Sequence, residues 1–334
     1  MNDKLQNNNL YNRIVELLKS ARSSVIQNVN KTMVITYYEI GRMIVEKEQQ
    51  GDDKAEYGKG LIKELSKKLT DKFGKGFSTT NIKQMRSFYL AYPKGQTVSD
   101  DFNLSWSHYL KLMRIDDENE RKFYEIEAVK NRWSVRELDR QFDTDLYTRL
   151  LLSKDKITVK ELSEKGLILE KPSDIIKDPY VLEFIGLPEN TTYSESELEQ
   201  KIIDKLEYFL LELGTGFTFV GRQKRITSGI EHFYIDLVFY NRLLQCFVLI
   251  DLKIGKLKHQ DIGQMQMYVN YYDREVKTEF EKPTIGLILC KEKNDFVIKY
   301  TLPENNEQIF ASKYQTVLPS KKELKELLDE QDDK

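Results

Sequence analysis

Cysteine and histidine are scarce in this sequence of 334 residues, which contains two cysteines and three histidines. So few soft ligands argue against a structural zinc site. Cys246 and Cys290 both lie inside apolar runs, so we expect buried thiols in a reducing compartment and no disulfide framework. The sequence also lacks an apolar run of the about 20 residues that span a membrane. Its first residues lack the apolar core of a signal peptide, and these absences together predict a cytoplasmic protein without membrane attachment.

Net charge is nearly absent as well, because 52 lysines and arginines face 54 aspartates and glutamates, which leaves −2 at pH 7. A protein with this balance does not bind nucleic acid by bulk positive charge, so any such binding must be local. One stretch has the required local excess, since residues 54–94 contain ten lysines and arginines against three acidic residues. We expect nucleic-acid contacts in the N-terminal half to lie there.

The length of the chain predicts about two domains. Hydrophobic residues make up 40% of the sequence and aromatic residues 11%, which is typical of a folded protein. Helical periodicity dominates the first half, weakens over residues 153–192, and is punctuated there by Pro172, Pro179 and Pro188. The predicted organisation is a helical domain over 1–152, a linker over 153–193 and a second domain over 194–334.

Within the first domain, apolar spacing predicts a helix that begins at Leu10. The further helices predicted there cover residues 33–48, 60–73 and 79–91. Gly74 and Gly76 mark a turn before the last of these helices, and Ser78 is its expected N-cap. Helix, glycine turn and helix is the outline of a helix-turn-helix, in which the second helix contacts DNA; a solvated lysine-rich hairpin is the alternative. The residues predicted to contact phosphates and base edges are Thr80, Asn81, Lys83, Gln84 and Arg86.

The second domain contains two apolar runs that carry carboxylates, FYIDLVFY and CFVLIDLK. The short turn at Asn241 and Arg242 predicts that the two runs pair as an antiparallel hairpin, which would bring Asp236 beside Asp251. Period-2 alternation places Asp251 and Lys253 on the same face of their strand. Unpaired charge is costly to bury, so this end must meet water, a partner or a metal; a surface ion pair is the alternative. Two convergent carboxylates suit a hard cation such as Mg²⁺.

The elements that flank this hairpin carry further polar residues. A helix begins at Ser194, with Glu197 as its capping-box partner, and Glu199 lies beside its apolar stripe. A later helix presents Gln264 and Tyr268 four residues apart, on one face. The remaining predicted elements are a buried strand over 283–290, a helix over 294–301, an edge strand over 308–314 and a closing helix over 321–329.

Glu, then Asp, then Asp-X-Lys, then Gln-X-X-X-Tyr, in the order helix, three strands, helix and strand, resembles the PD-(D/E)XK nuclease superfamily. More closely, ELEQKIIDKLEYFLLELGTGFTFVGRQKRI, FYIDLVFY, LIDLKIGKLKHQDIGQMQMY and PTIGLILCK resemble the YhcG-like family of bacterial PD-(D/E)XK proteins. The resemblance extends over nearly the whole chain and includes an N-terminal domain described as helix-turn-helix-like. It implies an α+β protein with two domains. The N-terminal domain would be all-α and helix-turn-helix-like, and the C-terminal domain would be a restriction-endonuclease-like core with a central mixed sheet flanked by helices.

Carried over by motif, the resemblance implies a role for each residue of the site. Asp236, Asp251 and the Leu252 carbonyl would be metal ligands, and Glu199 would be a supporting acid at the metal. Lys253 would be the catalytic lysine, with its pKa lowered by the metal. The remaining two catalytic residues implied are Gln264 and Tyr268. Asp251 stands where we expect Glu in the family, so its side chain is one methylene shorter.

The activity implied is Mg²⁺-dependent cleavage of DNA by an endonuclease, with Mn²⁺ as a substitute, in restriction, repair or mobile-element DNA processing. The residues predicted to line the phosphate path are Arg222, Gln223, Lys224, Arg225, Lys256 and Lys258, for which a solvated basic rim is the alternative. The alternatives for the whole protein are a catalytically weak nuclease fold that recognises DNA or a protein, or a nuclease acting on RNA or branched DNA. Expected partners are double-stranded or branched DNA, a second copy of the chain, and a protein of a defence or mobile-element system.

Overall fold

The computed structural model of the protein describes residues 2–49, 54–92, 102–152, 162, 164–188, 193–228, 230–320 and 324. The chain forms two compact units, Met1–Asp139 and Arg140–Lys334. Within the described ranges, none of the helices combines the length and the apolar character that crossing a bilayer requires.

The first unit is helical. Its helices are α1 Asn2–Gln49, α2 Lys54–Phe73, α3 Thr79–Ala91, α4 Trp106–Leu112, α5 Glu118–Lys130 and α6 Val135–Asp143, the last of which continues into the second unit. The prediction of two separate helices before residue 49 is wrong, because α1 is continuous. No glycine or proline interrupts residues 10–40, so nothing in the backbone chemistry ends the helix there.

The contact between α1 and α3 forms the centre of this unit. Gly41 makes it close, because a Cβ at that position would stand 2.1 Å from the carbonyl oxygen of Met85. Ile44 of α1 and Ile82 of α3 pack in one buried cluster with Ile62 of α2. The predicted cap of α3 is confirmed, since the Ser78 side chain accepts a hydrogen bond from the backbone N–H of Asn81.

The second unit contains a mixed six-stranded sheet. Its strands are β1 Tyr180–Val181, β2 Phe217–Ser228, β3 Glu231–Asn241, β4 Cys246–Lys256, β5 Ile285–Glu292 and β6 Ile309–Gln315, in the order β1-β6-β5-β4-β3-β2. Its helices are α7 Leu146–Leu152, α8 Glu195–Asp204, α9 Leu206–Leu213, α10 His259–Tyr271, which a π-helical turn Tyr272–Val276 extends, and α11 Asp295–Thr301. The predicted hairpin is β3–β4, antiparallel, and β5 and β6 follow in parallel.

Helices cover both faces of this sheet. Leu198 of α8 and Phe209 of α9 pack in one core with Leu237 and Ile250. On the other face, Met265 of α10 packs in a second core with residues of β4 and β5. The sheet is therefore buried in the middle, and polar side chains on its strands must lie at the strand ends or in a cleft.

Three details of the second unit differ from the sequence-based expectation. The capped helix at Ser194 is confirmed, but it is interrupted at Lys205, which separates α8 from α9. β6 is not an edge strand, because Tyr180 and Val181 pair beside it in parallel. Those two residues belong to the segment predicted as a linker, so part of that segment completes the sheet; the exact domain bounds stay a prediction. The predicted helix over 321–329 lies, except for Leu324, outside the described residues.

A buried ion cluster joins α7, α9 and β1. The guanidinium of Arg149 donates to Glu212 at 2.5 Å and to the Pro179 carbonyl at 3.0 Å. The same carboxylate accepts the backbone N–H of Val181 at 3.0 Å, which anchors the edge strand β1. Burial by itself would raise the pKa of Glu212, but the neighbouring cations, foremost Arg149, outweigh it and lower that pKa to about 2. Glu212 is therefore ionised, and its charge is compensated inside the protein.

Candidate active site

Asp251 and Lys253 lie at the end of β4, where the strand leaves the core. Both side chains point to the same face, as their spacing predicts, and the Lys253 ammonium lies 2.7 Å from Asp251 Oδ2. Asp251 is only 2% exposed, and among the described residues no donor gives this oxygen a well-formed hydrogen bond. The carboxylate is therefore buried with one ion-pair partner and spare capacity to bind a cation.

The protonation of this pair follows from its surroundings. Burial raises the pKa of Asp251, and the nearby carboxylate of Asp236 raises it further, although Lys253 lowers it in part. Burial alone would lower the pKa of Lys253, but Asp251 beside it has the larger effect, so that pKa is raised. With these neighbours Lys253 is an ammonium ion at neutral pH. The sequence analysis expects a lowered pKa for Lys253 because of a bound metal, so that expectation applies to the metal-bound protein.

Asp236 of β3 is positioned by two donors. The backbone N–H of Leu252 donates to its Oδ2 at 2.8 Å, and the Gln223 amide donates to its Oδ1 at 3.1 Å. Leu237 pairs with Ile250 in the hairpin, so Asp236 stands next to Asp251 across the two strands. The predicted juxtaposition of the two carboxylates is thus found in the structure.

Gln223 connects Asp236 to Glu199 of α8. Its amide also donates to Glu199 Oε2 at 2.5 Å, and its backbone has a φ of 48° in the middle of β2. Burial raises the pKa of Glu199, while the Gln223 hydrogen bond lowers it in part. The sequence analysis placed Gln223 on the phosphate path; in the structure its side chain bridges two carboxylates.

Gln264 and Tyr268 reach the site from α10. The Gln264 amide donates to the Tyr268 hydroxyl at 2.5 Å, and that hydroxyl donates to the carbonyl of Tyr234 at 2.9 Å. Burial raises the pKa of Tyr268, and the charges of Asp251 and Asp236 add to the increase. Through this hydrogen bond α10 holds the part of β3 that carries Asp236.

Glu195 is a member of the site that the sequence analysis missed. Its Oε2 lies 3.9 Å from the Lys253 ammonium. The signal was available, because Glu195 precedes Glu199 by four residues and so shares its helix face. Lys253 accordingly has an acidic neighbour on α8 in addition to Asp251.

The basic residues predicted to line a phosphate path are mostly exposed. Lys224, Lys256 and Lys258 are among the exposed residues. Arg222 donates to Gln200 at 2.8 Å, and Arg225 donates to Thr227 at 3.0 Å. Their role in nucleic-acid binding stays a prediction.

In the first unit, the residues of α3 predicted to contact DNA have different environments. Thr80 and Lys83 are exposed, and Gln84 is half-buried. The Asn81 side chain donates to the Gly76 carbonyl at 3.0 Å and so closes the turn before the helix. Arg86 donates to Glu48 of α1 at 2.7 Å. Asn81 and Arg86 therefore have structural contacts already, and DNA contact by any residue of this set stays a prediction.

The atoms of the site that could coordinate a metal ion are carboxylate and carbonyl oxygens. Oxygen ligands suit Mg²⁺ or Mn²⁺ and do not suit zinc. No group of three His, Cys, Asp or Glu side chains with metal-binding geometry occurs in the ranges that the structure describes. Asp236 and Asp251 would therefore hold a cation as a pair, with water and a backbone carbonyl completing its shell. A magnesium ion is commonly held by one or two carboxylates together with substrate phosphate, so the residues fit such an ion.

Asp251→Asn is expected to raise the thermal stability of the metal-free protein at about pH 8, where the wild-type carboxylate is charged. The folded protein binds its Asp251 proton more tightly than the unfolded chain does, so this site contributes a stability that falls as pH rises toward the raised pKa. The gain should shrink as pH falls through the raised pKa and disappear only below the ordinary pKa of Asp in the unfolded chain, about 4. We would measure Tm in EDTA across this pH range, with the exposed Asp204→Asn as control. A variant less stable than wild type at pH 8 would contradict the assignment of a costly buried charge.

The second unit combines a mixed sheet with Asp236, the Asp251-X-Lys253 pair and the Gln264-X-X-X-Tyr268 pair. This combination is that of a PD-(D/E)XK nuclease fold. The family model described as YhcG PDDEXK nuclease domain matches residues 173–329, and the DUF1016 N-terminal domain matches residues 13–149. A protein from Escherichia coli (strain K12) named "Putative nuclease YhcG" is 39% identical over 345 residues, covering 94% of this chain and 92% of that protein. The chain belongs to the YhcG family of PD-(D/E)XK nucleases.

Two solved structures resemble part of the chain. One is a crystal structure of a repair endonuclease from Pyrococcus abyssi, with 17% identity and a TM-score of 0.26, covering 40% of this chain and 50% of that one. The other is the structure of an EndoMS–dsDNA complex, with 14% identity and a TM-score of 0.27, covering 40% of this chain and 51% of that one.

Proposed function

We propose that this protein is a metal-dependent DNA endonuclease that uses Mg²⁺, for which Mn²⁺ can substitute. The observation that carries the proposal is the buried Asp251, paired with Lys253 and adjacent to Asp236 in one site. A structural ion pair needs no second carboxylate beside it, and two adjacent carboxylates repel unless a cation lies between them. Membership of a nuclease family supports the same conclusion.

Each residue has a role in this proposal. A divalent ion at Asp236 and Asp251 would polarise the scissile phosphate and lower the pKa of a bound water. Gln223 and the Leu252 N–H hold the Asp236 carboxylate in place. Lys253, beside Asp251, would place a positive charge where the phosphorane-like transition state gains negative charge.

Double-stranded or branched DNA is the substrate that we favour. Exposed basic residues on β2 and after β4 lie close in sequence to the site, and Arg225 pairs across the hairpin with Tyr234, whose side chain is exposed. Exposed basic side chains of this kind contact the phosphates of a DNA duplex. The cellular setting that we propose is restriction, repair or mobile-element processing in the cytoplasm, with a protein partner of such a system.

The test is cleavage of supercoiled, linear, branched and single-stranded DNA and of RNA, in Mg²⁺, Mn²⁺ or EDTA. We expect cutting of DNA that requires the metal and disappears in Asp236→Asn, whose side chain keeps its size and loses its charge. Cutting that persists in EDTA, or in the variant, would contradict the mechanism. Cleavage of RNA alone would contradict the substrate.

Lys83→Ala is expected to weaken DNA binding and to reduce the slope of log K against log salt by about 1, because one phosphate contact is lost. Lys83 is exposed on α3. Lys122→Ala removes an exposed lysine from α5 and is the matched control, with an unchanged slope expected. Equal slopes for Lys83→Ala and wild type, measured by fluorescence anisotropy, would remove α3 from the DNA-binding surface.

A catalytically weak recognition module is the second candidate. It is favoured by Asp251 itself, which is shorter than the Glu expected at that position, and by the absence of a three-carboxylate group in the described ranges. Under this alternative, well-folded wild-type protein would bind DNA and would cut none of the substrates in either metal.

A further inference from the structure

The N-terminal half of α1 presents an apolar surface to solvent. From Leu10 to Met33, nine large apolar side chains are between 39 and 69% exposed. They are Leu10, Tyr11, Ile14, Leu17, Leu18, Val25, Ile26, Val29 and Met33. Further along the same helix, Val34, Ile44 and Val45 are buried inside the first unit, and Met43 is the exposed exception. A continuous exposed apolar surface of this length marks an interaction site.

The exposed residues follow a heptad repeat. Positions a are Tyr11, Leu18 and Val25, and positions d are Ile14, Ala21 and Asn28. Leu10, Leu17, Val15 and Val29 flank this seam at positions g and e, while Ile26 and Met33 lie outside it. Away from the seam the helix carries the ion pair between Glu16 and Lys19 at 3.1 Å. Such a seam is the pattern by which one helix pairs with another helix of the same kind.

The order of large and small residues makes the seam self-complementary in an antiparallel arrangement. With the two-fold axis between Leu18 and Ala21, each Leu18 faces the other copy's Ala21, and each Ile14 faces Val25. Tyr11 then faces Asn28, so every layer combines a larger with a smaller side chain, as close packing requires. A parallel pair would instead place Ala21 against Ala21, which leaves a gap, and Leu18 against Leu18.

The antiparallel arrangement also leaves room for the rest of the protein. In this register Val34, where the helix enters its own unit, lies beside residue 5 of the other copy. The two copies of Val34 are then about 43 Å apart along the axis, at about 1.5 Å per residue. The opposed helix dipoles add a small favourable term.

We propose that α1 pairs with α1 of a second copy as an antiparallel coiled coil over residues 10–33, which makes the protein a homodimer. A large apolar side chain that gains about 2.5 kcal/mol on burial, at about 25 cal/mol per Å², removes about 100 Å² from water. Seven apolar residues at or beside the seam in each copy are 47–69% exposed, so pairing removes roughly 800 Å² of apolar surface from water. Because interfaces are about 57% apolar in area, the whole interface would bury roughly 1,400 Å², which is within the range of specific protein interfaces, about 1,200–2,000 Å².

The first measurement is the mass of the full chain in solution by light scattering after gel filtration. We expect twice the monomer mass of 39.5 kDa for wild type and the monomer mass for Leu18→Glu, which places a charge in the central layer. Ser20→Glu, two residues away on the polar side, is the matched control and should remain dimeric. Leu18 is exposed in the single chain, so circular dichroism should show both variants folded. A monomeric wild type at micromolar concentration would overturn the proposal.

Cysteine cross-linking tests the orientation, and the chain suits it because its two natural cysteines are buried. Ile14→Cys mixed with Val25→Cys should give a disulfide-linked dimer on mild oxidation, because these positions face each other. Neither variant alone should cross-link, since two copies of residue 14 lie about 16 Å apart in this register. Cross-linking of each variant with itself, and none in the mixture, would overturn the antiparallel pairing.

Discussion

Replacing Lys253 by methionine should lower the rate of DNA cleavage by roughly 10²–10³-fold, which is the usual effect of removing one preorganised group that stabilises transition-state charge. The ammonium lies 2.7 Å from Asp251 Oδ2 and 3.9 Å from Glu195 Oε2. Methionine preserves most of the length of the side chain and removes only its charge.

Lys313→Met is the matched control for this experiment. It makes the same substitution on another strand of the same sheet, at an exposed position outside the predicted phosphate path, and we expect cleavage within about threefold of wild type because surface charges act weakly. Single-turnover kinetics at saturating Mg²⁺ would separate the chemical step from binding. Wild-type cleavage rates in Lys253→Met would show that the lysine only balances the charge of Asp251.

Arg149→Met should destabilise the protein by about 3–5 kcal/mol, the usual cost of leaving a buried charge without its partner. Arg149 and Glu212 are both fully buried. The substitution removes the 2.5 Å contact to Glu212 and the contact to the Pro179 carbonyl. Among the described residues, Arg140 and Lys177 would then be left to compensate the charge of the Glu212 carboxylate.

Lys68→Met tests whether any ion pair would give this result. Lys68 lies 2.6 Å from Glu64, but the two side chains are 71 and 63% exposed, so we expect a loss of stability far smaller than that of Arg149→Met. Urea denaturation followed by circular dichroism would measure both variants. Equal losses for the two would contradict the importance of burial in the cluster.

The same cluster makes a prediction about acid. The pKa of Glu212 is lowered in the folded state, so its stabilising contribution is complete above the pKa of the unfolded chain and is lost as pH falls toward about 2. Asp251 acts in the opposite direction, because its pKa is raised. The wild-type protein should therefore lose stability steeply only at acidic pH, below the range in which Asp251 takes up its proton.

Much of the site follows from local rules. Period-2 alternation puts Asp251 and Lys253 on one face, and a short turn between two apolar runs brings Asp236 beside Asp251. The four-residue spacing of Gln264 and Tyr268 predicts their contact on a helix, which the structure confirms at 2.5 Å. These relations depend on strand and helix geometry, which the sequence pattern specifies over short distances.

Such local rules do not predict contacts between segments that are far apart in the sequence. The bridge from Gln223 to Glu199 and Asp236 requires a positive φ in β2 and the docking of α8 on the sheet. The pairing of Tyr180 with Tyr314, which moves β6 inside the sheet, joins residues from opposite ends of the second unit. Neither contact leaves a periodic signal in the sequence.

The sequence by itself predicted most of the helices and strands and the candidate carboxylates and lysine of the site, and it identified the family. Only the tertiary structure decided that Asp251 is buried, that Lys253 has a second acidic neighbour in Glu195, and that the apolar half of α1 faces solvent. The physical reason is that hydrophobic periodicity shows which face of an element avoids water, but it does not show what covers that face. Burial and charge compensation are properties of neighbours brought together by folding, and they decide what the site can bind.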